Sequence, residues 1–208
     1  MLMAICTLAQ GEEQMSEEFW ERGYCILEEV LTPSQIDLAV ASLGHKLDSQ
    51  SMRKRDSGHV FKAEDEYSPG IGELLLRHCQ PAFEEAIGRP LIESFAYWRV
   101  YHSGARLTRH TDRPGCEISA TLTLACEPRD ADWPIMIEDT NSNVRAVHLK
   151  PGSTLLYQGH KVPHWRDTFD GTRQMQLLFH YVLKDGPFAE RSFDGRDADP
   201  VAGYYVDI

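Results

Sequence analysis

Residues 116–124 read CEISATLTL, a run in which apolar and polar side chains alternate without a break. The apolar positions are Ile118, Ala120, Leu122 and Leu124, and the polar positions between them are Glu117, Ser119, Thr121 and Thr123. Successive side chains of a β-strand point to opposite faces of the sheet. This period of two therefore predicts a strand with one face buried and the other exposed.

Short runs of the same kind continue on the C-terminal side of this segment. They cover residues 134–138, 144–149, 153–158 and 174–183, with turn residues such as Pro151-Gly152 between them. Short strands at intervals of about 8–12 residues are typical of antiparallel sandwiches and barrels. The period of two begins near Phe95, and it predicts a mainly β core with helices packed on its outside.

The chain before this core has helical periodicity. Thr32 can cap a helix that begins at Pro33, and Gln35 stands three positions after the cap, as in a capping box. Apolar residues at helical spacing then extend the predicted helix over residues 33–48.

A second helix is predicted from about residue 71 to residue 87. Pro81 is expected to interrupt it, because proline has no backbone N–H, and Gly88 is expected to end it. The stretch 51–68 between the two helices is polar and charged, and it is predicted to be a loop.

The chain has 208 residues and a mass of 23.7 kDa, which suits one domain of ordinary size. We expect a single domain over residues 1–208. It divides into mainly helical support over 1–94, a β core over 95–184 and a C-terminal tail over 185–208.

The chain is acidic, with 21 Lys and Arg against 32 Asp and Glu and a net charge of −11. An acidic surface repels phosphate backbones and anionic membranes. We therefore expect neither nucleic acid nor membrane as a partner. The same charge favours a neutral or cationic substrate over an anionic one.

Cysteine usage and the N-terminus predict a cytoplasmic protein. The five cysteines are scattered and form no C-x-x-C pair, which favours reduced thiols. Residues 1–9 are apolar but have no basic flank, so they make a poor signal peptide. The cysteines are Cys6, Cys25, Cys79, Cys116 and Cys126.

A candidate metal site lies next to the alternating strand. His110 and Asp112 stand two positions apart, so in an extended segment both side chains point to one side. His164 follows 54 residues after His110 (164 − 110 = 54). Two imidazoles and one carboxylate form the facial triad of non-haem Fe(II) oxygenases, which leaves metal positions open.

Two alternatives to this ligand set stay open at the level of sequence. His160 can replace His164 as the third ligand, although it follows Gly159 at a predicted turn. His110 and Asp112 also fit a surface turn in which Asp112 pairs with a neighbouring arginine.

Further motifs flank the candidate ligands in chain order. They are Tyr101-His-Ser-Gly104, His110-Thr-Asp-Arg-Pro-Gly-Cys-Glu-Ile-Ser119, Pro151-Gly-Ser-Thr-Leu-Leu-Tyr157, His164-Trp-Arg-Asp167 and Gly171-Thr-Arg173. Together they resemble the Fe(II)/2-oxoglutarate-dependent dioxygenase superfamily, of the prolyl-hydroxylase-like type, over about residues 95–183. The stretch Gly23–Leu31 is similar to the entry segment of phytanoyl-CoA-hydroxylase relatives, and the motifs around His110 and His164 are similar to a bacterial subgroup.

The resemblance implies a double-stranded β-helix, a jelly-roll of the cupin-like kind, with helical support at the N-terminus. His110, Asp112 and His164 would bind Fe(II), with 2-oxoglutarate as chelating co-substrate and O₂ as oxidant. The far carboxylate of 2-oxoglutarate needs a cation, for which a planar, bidentate guanidinium is suited. Arg173 matches the family's usual position for it, with Tyr101 as a hydroxyl donor.

Several arginines compete for that anchoring role. Arg173 shares its parity with apolar residues of the last predicted strand, and Met175 stands where family members often have serine. Arg166 lies two residues beyond His164 and faces the same way in an extended segment, so it is the rival anchor. Arg99 and Arg113 are further candidates.

The resemblance implies hydroxylation of an unactivated C–H bond, with release of succinate and CO₂. Relatives that halogenate lack the carboxylate found here as Asp112, which favours hydroxylation. The expected substrate is a small molecule or a peptidyl side chain. Two other classes stay open: a non-catalytic or sensory metal-binding β-barrel, and a cupin-type Zn or Mn enzyme. The oligomeric state cannot be read from the sequence.

Overall fold

The structure is a computed structural model that describes residues 14–196. Cys6, the apolar segment 1–9 and the end of the predicted C-terminal tail lie outside the described residues. After the last strand, the described part of the chain contains short 3-10 turns within Ala189–Gly195, which are interrupted by non-helical backbone at Ser192, Phe193 and Asp194.

The main elements of the described chain are three α-helices and ten strands. The helices are α1 over residues 14–22, α2 (Pro33–Asp48) and α3 (Gly70–Ile87). The strands are β1 (Tyr24–Leu27), β2 (Arg53–Ser57), β3 (Val60–Tyr67), β4 (Leu91–His110), β5 (Ile118–Glu127), β6 (Ile135–Glu138), β7 (Val144–Val147), β8 (Thr154–Tyr157), β9 (His164–Arg166) and β10 (Arg173–Leu183).

The long strand β4 joins two facing antiparallel sheets. Its first half pairs with β10 in a layer ordered β1-β8-β5-β10-β4, and its end pairs with β9 in a layer ordered β4-β9-β6-β7. Gly104 lies between the two halves with φ +73°, a conformation that favours glycine, and its N–H donates to the Phe169 carbonyl at 2.9 Å. This arrangement is the jelly-roll predicted from the sequence.

The main core lies between α3 and the outer face of the first layer. Phe83 of α3 is fully buried, and its ring contacts Phe179 and Tyr181 of β10 at centroid distances of 6.3 and 5.7 Å. The Tyr181 hydroxyl donates to the Leu76 carbonyl of α3 at 2.5 Å. Helix and sheet are thus held together by apolar packing and one buried hydrogen bond.

The predicted helix 33–48 is confirmed with its cap. The Thr32 backbone N–H donates to the Gln35 side chain, and the Thr32 hydroxyl accepts from the Gln35 N–H, which completes the capping box. Helix α3 ends at Gly88 as predicted, in a left-handed conformation. The interruption at Pro81 is wrong, because α3 runs through Pro81 and its buried face packs continuously on the sheet.

The predicted loop over 51–68 is also wrong, because β2 and β3 form a hairpin there. Residues 1–94 are therefore not only helical support. The hairpin's charges are paired: Arg55 contacts Asp65 and Lys46 contacts Glu66, both at 2.8 Å. Strand β3 gains its remaining backbone partners along β4. This tertiary pairing lets a charged segment form a strand without a strong apolar alternation.

Strand β5 is confirmed, but it is not half-exposed. Ser119, Thr121 and Thr123 on its polar parity are buried as fully as the apolar parity. They face the interior between the two layers, where Thr121 donates to Gln176 at 3.0 Å and Gln176 donates to Thr123 at 2.9 Å. The polar parity therefore marks the inside of the jelly-roll.

Among residues 14–196, no helix is both long and apolar enough to cross a membrane. The four described cysteines are unpaired, as expected from their spacing.

We expect Phe83→Ala to lower the free energy of unfolding by about 3–5 kcal/mol, because it opens a cavity between α3 and β10. Urea denaturation measures the change. Leu74→Ala is the matched control, since Leu74 lies on the same helix with 42% of its surface exposed. Similar losses for both variants would contradict the assigned core.

Candidate metal centre

A cavity of about 440 Å³ lies between the two layers, within the range of small-molecule sites. Alternation along β4 builds one wall: Tyr97, Arg99 and Tyr101 face the cavity, whereas Trp98 and Val100 belong to the core behind the sheet. The β2–β3 hairpin adds a second wall. The cavity therefore takes its side chains from both layers and from the hairpin.

The structure brings His110, Asp112 and His164 together in this cavity. His110 ends β4 and lies opposite His164, the first residue of β9, in the strand register. The Asp112 Oδ1 atom is 3.6 Å from His110 Nε2 and 3.7 Å from His164 Nε2. One potential ligand atom from each residue lies within 4.8 Å of the other two.

Backbone carbonyls orient both imidazoles. His110 Nδ1 lies 2.8 Å from the Thr108 carbonyl, and His164 Nδ1 lies 3.1 Å from the Val162 carbonyl. A carbonyl only accepts hydrogen bonds, so each Nδ1 carries the proton and each Nε2 is left with a free lone pair. This is the tautomer in which histidine binds a metal through Nε2.

Asp112 is fixed by its surroundings as well. Its backbone N–H donates to the Gly159 carbonyl at 2.8 Å, and its Oδ2 accepts from the Ser119 hydroxyl at 2.9 Å. Burial by itself raises the pKa of Asp112, but the neighbouring imidazoles of His110 and His164 outweigh it, since in their protonated form they stabilise the carboxylate over the neutral acid. The net pKa lies well below the usual range of an aspartate, so the carboxylate is ionised.

Position 159 has to be glycine, because three groups of the candidate site lie too close to its Cα to leave room for a side chain. A Cβ atom at this position would lie 2.5 Å from Asp112 Oδ2, from Ser119 Oγ and from the Cys116 carbonyl. Any larger residue would therefore push Asp112 or Ser119 out of place. The sequence marked Gly159 only as a turn residue, because close approach is visible only in three dimensions.

His180 completes a chain of hydrogen bonds behind Asp112. Its Nδ1 lies 3.0 Å from Ser119 Oγ, which in turn donates to Asp112. Burial lowers the pKa of His180 to about 4, and the nearby positive charges of Arg113 and Arg99 act in the same direction. His180 is therefore neutral near pH 7, with Nδ1 as the donor to Ser119.

The tyrosine Tyr157 was missed as a site residue by sequence reasoning. It is fully buried, lines the cavity, and its ring lies 4.7 Å from the ring of His164. Burial raises the pKa of its hydroxyl well above the usual value. The available signal was the alternation of side chains along the predicted strand 153–158, in which Tyr157 lies on the same face as Leu155.

Arg166 lies in the cavity on the same side of β9 as His164, as expected for an extended segment. Its guanidinium is 3% exposed, lies 4.9 Å from the Trp133 ring, and donates to the Trp133 carbonyl through Nη1. Among residues 14–196, Nη2 of Arg166 has no hydrogen-bond partner. Burial lowers the pKa of Arg166.

Arg173 lies elsewhere. It begins β10 at the edge of the fold, where it is 43% exposed and pairs with Glu127 at 3.1 Å. It does not line the cavity, because the inward parity of β10 belongs to Gln174, Gln176 and His180. The structure thus brings Arg166, and not Arg173, to the three candidate ligands.

The remaining candidates divide between cavity and exterior. Tyr101 lines the cavity and packs its ring on Trp133 at 4.9 Å. Arg99 and Arg113 line it too, and Arg113 pairs with Asp194 at 2.5 Å. His160 lies outside the three-residue cluster, with its Nδ1 3.2 Å from the Glu117 carbonyl.

No protein-family model matches the sequence, and no curated protein matches it significantly. Solved structures do share its fold. SnoN, a non-haem α-ketoglutarate-dependent epimerase from nogalamycin biosynthesis, aligns with a TM-score of 0.69 at 13% identity, over 84% of this chain and 83% of SnoN.

Two further structures align nearly as well. A prolyl-4-hydroxylase from Pseudomonas putida has a TM-score of 0.65 at 15% identity, over 82% of this chain and 97% of its own. HygX from Streptomyces hygroscopicus, solved with nickel, 2-oxoglutarate and hygromycin B, has a TM-score of 0.63 at 11% identity, over 81% and 86%. At these identities the likeness establishes the fold alone: this chain has the jelly-roll that these structures share.

Lowering the pH should destabilise the fold through His180. The unfolded chain binds a proton at His180 near pH 6.5, whereas the folded chain binds it only near pH 4, so stability is lost as the pH falls through this window. We expect the free energy of unfolding to fall by about 2 kcal/mol between about pH 7 and about pH 5 on account of this residue.

Urea denaturation at both pH values measures the slope. His180→Asn should reduce it, whereas His45→Asn should leave it unchanged, because the His45 side chain is exposed on the surface of α2. Equal slopes in wild type and His180→Asn would contradict the assignment of a buried neutral imidazole.

Proposed function

We propose that this chain is an Fe(II)- and 2-oxoglutarate-dependent oxygenase that hydroxylates a C–H bond of a small molecule or a peptidyl side chain. One observation carries the proposal. Two imidazoles and a carboxylate within ligand distance of one another share a cavity with a buried guanidinium that has an unused donor. The first fits the metal and the second fits the far carboxylate of the co-substrate.

The three ligands fit Fe(II) in number, type and spacing. Ligand atoms at neighbouring corners of an octahedron with bonds of about 2.1 Å lie about 3 Å apart. The distances from Asp112 Oδ1 to the two Nε2 atoms, 3.6 and 3.7 Å, need only a small contraction. Both imidazoles already hold the binding tautomer, and Asp112 is already ionised.

Arg166 fits the far carboxylate of 2-oxoglutarate. Its charge is buried, and within the described part of the chain it has no carboxylate partner. Leaving a buried charge unpaired is unfavourable: removing one partner of a buried ion pair destabilises a protein by about 3–5 kcal/mol. An incoming carboxylate would accept from Nη2 and compensate that charge. The presence of 2-oxoglutarate in the similar fold of HygX supports the same ligand here.

When bound, iron and 2-oxoglutarate supply the oxidising chemistry, in which O₂ is consumed and succinate and CO₂ are released. The protein's own part is to hold the ligands in place and to limit water. Tyr157, Ile135 and Leu178 give the cavity an apolar lining near the ligands. Such a lining shields reactive species from solvent.

The fold itself does not select hydroxylation, because the similar structures include an epimerase and a carbocyclase. The presence of Asp112 supports hydroxylation over halogenation, since halogenating relatives lack this ligand. We therefore propose hydroxylation as the outcome.

The first prediction concerns the visible charge-transfer band of chelated 2-oxoglutarate. Adding Fe(II) and then 2-oxoglutarate without oxygen should produce this band in the wild type. His164→Ala should abolish it, because the metal loses one of its two imidazole ligands. Arg166→Met should raise the 2-oxoglutarate concentration for half-saturation about tenfold or more, because one charged hydrogen bond is lost.

Arg173→Met is the matched control, since Arg173 is an exposed arginine outside the cavity. It should titrate like the wild type. A wild type that binds iron but gives no band would exclude 2-oxoglutarate and leave a metal-binding barrel or a cupin-type metal enzyme. A loss confined to Arg173→Met would assign the anchor to that residue.

A second prediction concerns Gly159. Gly159→Ala should weaken Mn(II) binding about 10–100-fold, because the added methyl group displaces Asp112 and Ser119. Electron paramagnetic resonance of free Mn(II) measures the affinity. Gly44→Ala is the control, since a Cβ atom there meets nothing within 4 Å. Unchanged binding in Gly159→Ala would show that the packing around Asp112 is dispensable.

A further inference from the structure

A second group of charges lines the cavity on the side of the β2–β3 hairpin. Arg55 and Asp65 come from the hairpin, and Arg99 comes from the neighbouring strand β4. Asp65 is 2% exposed, and its Oδ2 accepts from Arg55 Nε at 2.8 Å. The same oxygen lies 3.5 Å from Arg99 Nη2. One carboxylate thus serves two guanidinium groups, and the closer one is Arg55.

Arg99 is poorly satisfied in this arrangement. Its two contacts, Nη2 to Asp65 and Nη1 to the Tyr101 hydroxyl, are both 3.5 Å long, beyond the usual N–H···O range of about 2.7–3.2 Å. Its Nε is buried and has no partner among the residues the structure describes. Buried polar groups are nearly always hydrogen-bonded. Arg99 therefore has donors available for an anion.

Pairing leaves two cationic side chains in the cavity without a close partner of their own. Arg113 is paired with Asp194, and Arg55 is paired with Asp65. The two that remain are Arg99 and Arg166, the residues with an unpartnered guanidinium nitrogen. The net charge of −11 for the whole chain gives no hint of this local excess.

The charge balance assigns one of these arginines to the substrate, and this step rests on the proposed function. The two positive charges of Fe(II) and the one of Arg166 are cancelled by Asp112 and by the two carboxylates of 2-oxoglutarate. Arg99 then remains, with its charge only partly compensated by Asp65. A cavity loaded in this way has room for one more negative charge.

Exposure separates the two roles. The Arg166 side chain is 3% exposed and lies two residues from the ligand His164. The Arg99 side chain is 14% exposed, lies between Tyr97 and Tyr101, and is adjacent to the half-exposed Arg55. Arg99 therefore stands on the more accessible side of the cavity, where a substrate has to enter after the co-substrate.

We propose that the substrate is a small molecule with one carboxylate group, and that the guanidinium of Arg99 binds this carboxylate. Arg55 and Asp65 act as positioning residues, because Arg55 holds the Asp65 carboxylate and the same carboxylate contacts Arg99 on β4. The rings of Tyr97 and Tyr101 keep the guanidinium in place from both sides, at 5.7 and 5.9 Å from its central carbon.

The test compares an acid with its neutral isostere. Benzoate and benzamide are titrated by calorimetry into protein that holds Zn(II) and 2-oxoglutarate, so that no turnover occurs. We expect the wild type to bind benzoate about tenfold more tightly than benzamide, as expected for one charge-assisted hydrogen bond in place of a neutral one. Arg99→Gln should remove this preference, and Arg99→Lys should keep part of it.

Arg173→Gln is the matched control and should keep the full preference, because its parent arginine is paired with Glu127 outside the cavity. Benzoate that binds wild type no more tightly than benzamide, or not at all, would overturn the proposal. So would a preference that survives in Arg99→Gln.

The charge-transfer band separates failure of this proposal from failure of the proposed function. Arg166→Met should raise the 2-oxoglutarate concentration for half-saturation of the band more than Arg99→Gln does. The reverse order would make Arg99 the co-substrate anchor and overturn the substrate assignment, while the oxygenase function would stand. A band missing from the wild type would refute the oxygenase function, and the acid preference of metal-free wild type against Arg99→Gln would still decide whether Arg99 binds a carboxylate.

Discussion

The antiparallel pairing of β4 with β9 is the contact on which the candidate centre depends. It places His110 directly opposite His164, so that two segments far apart in sequence supply facing ligands through backbone register alone. The backbone then adds a second constraint, because carbonyls next to each histidine fix its tautomer. The third ligand, Asp112, is held by the Gly159 carbonyl and by Ser119. The protein's own backbone and hydrogen bonds therefore arrange the centre.

The electrostatics of the molecule differ between its surface and its interior. The chain as a whole is strongly acidic, but its cavity contains four arginines, two of them without a close acidic partner among residues 14–196. Burying such charges is costly unless they are paired. The net charge of the chain governs the attraction of charged molecules at long range. The balance of paired and unpaired charges inside the cavity governs which ligand charge can bind there. This is why the composition favoured a cationic or neutral substrate and the cavity favours an anion.

Patterns over a few neighbouring residues predicted much of the fold, whereas contacts between residues far apart in the sequence could not be predicted from it. The capping box at Thr32 and the alternation in β5 act over a few residues, and both elements are where the sequence placed them. The hairpin at 51–68 was missed because it has paired charges in place of an apolar stripe. The three ligand candidates were found by residue type and spacing. The choice between Arg166 and Arg173 depends on which faces of β9 and β10 point into the cavity, and only the structure shows this. The contacts of Gly159 and Ser119 with Asp112 are likewise visible only in three dimensions.

The shared strand β4 and the outermost strand β1 also constrain how the chain acquires its shape. Tyr24 of β1 pairs with Tyr157 of β8, and Leu91 of β4 pairs with Leu183 of β10, near the end of the described chain. Contacts between such distant segments form slowly, because the entropy lost in closing a long loop comes before the stabilising contacts form. During synthesis, β1 leaves the ribosome long before β8, and β4 leaves it long before β10, although β3 is already present to pair with the other edge of β4. The jelly-roll can then close only after translation has passed β10, and until that moment the edge of β4 that pairs with β10 is exposed to other chains.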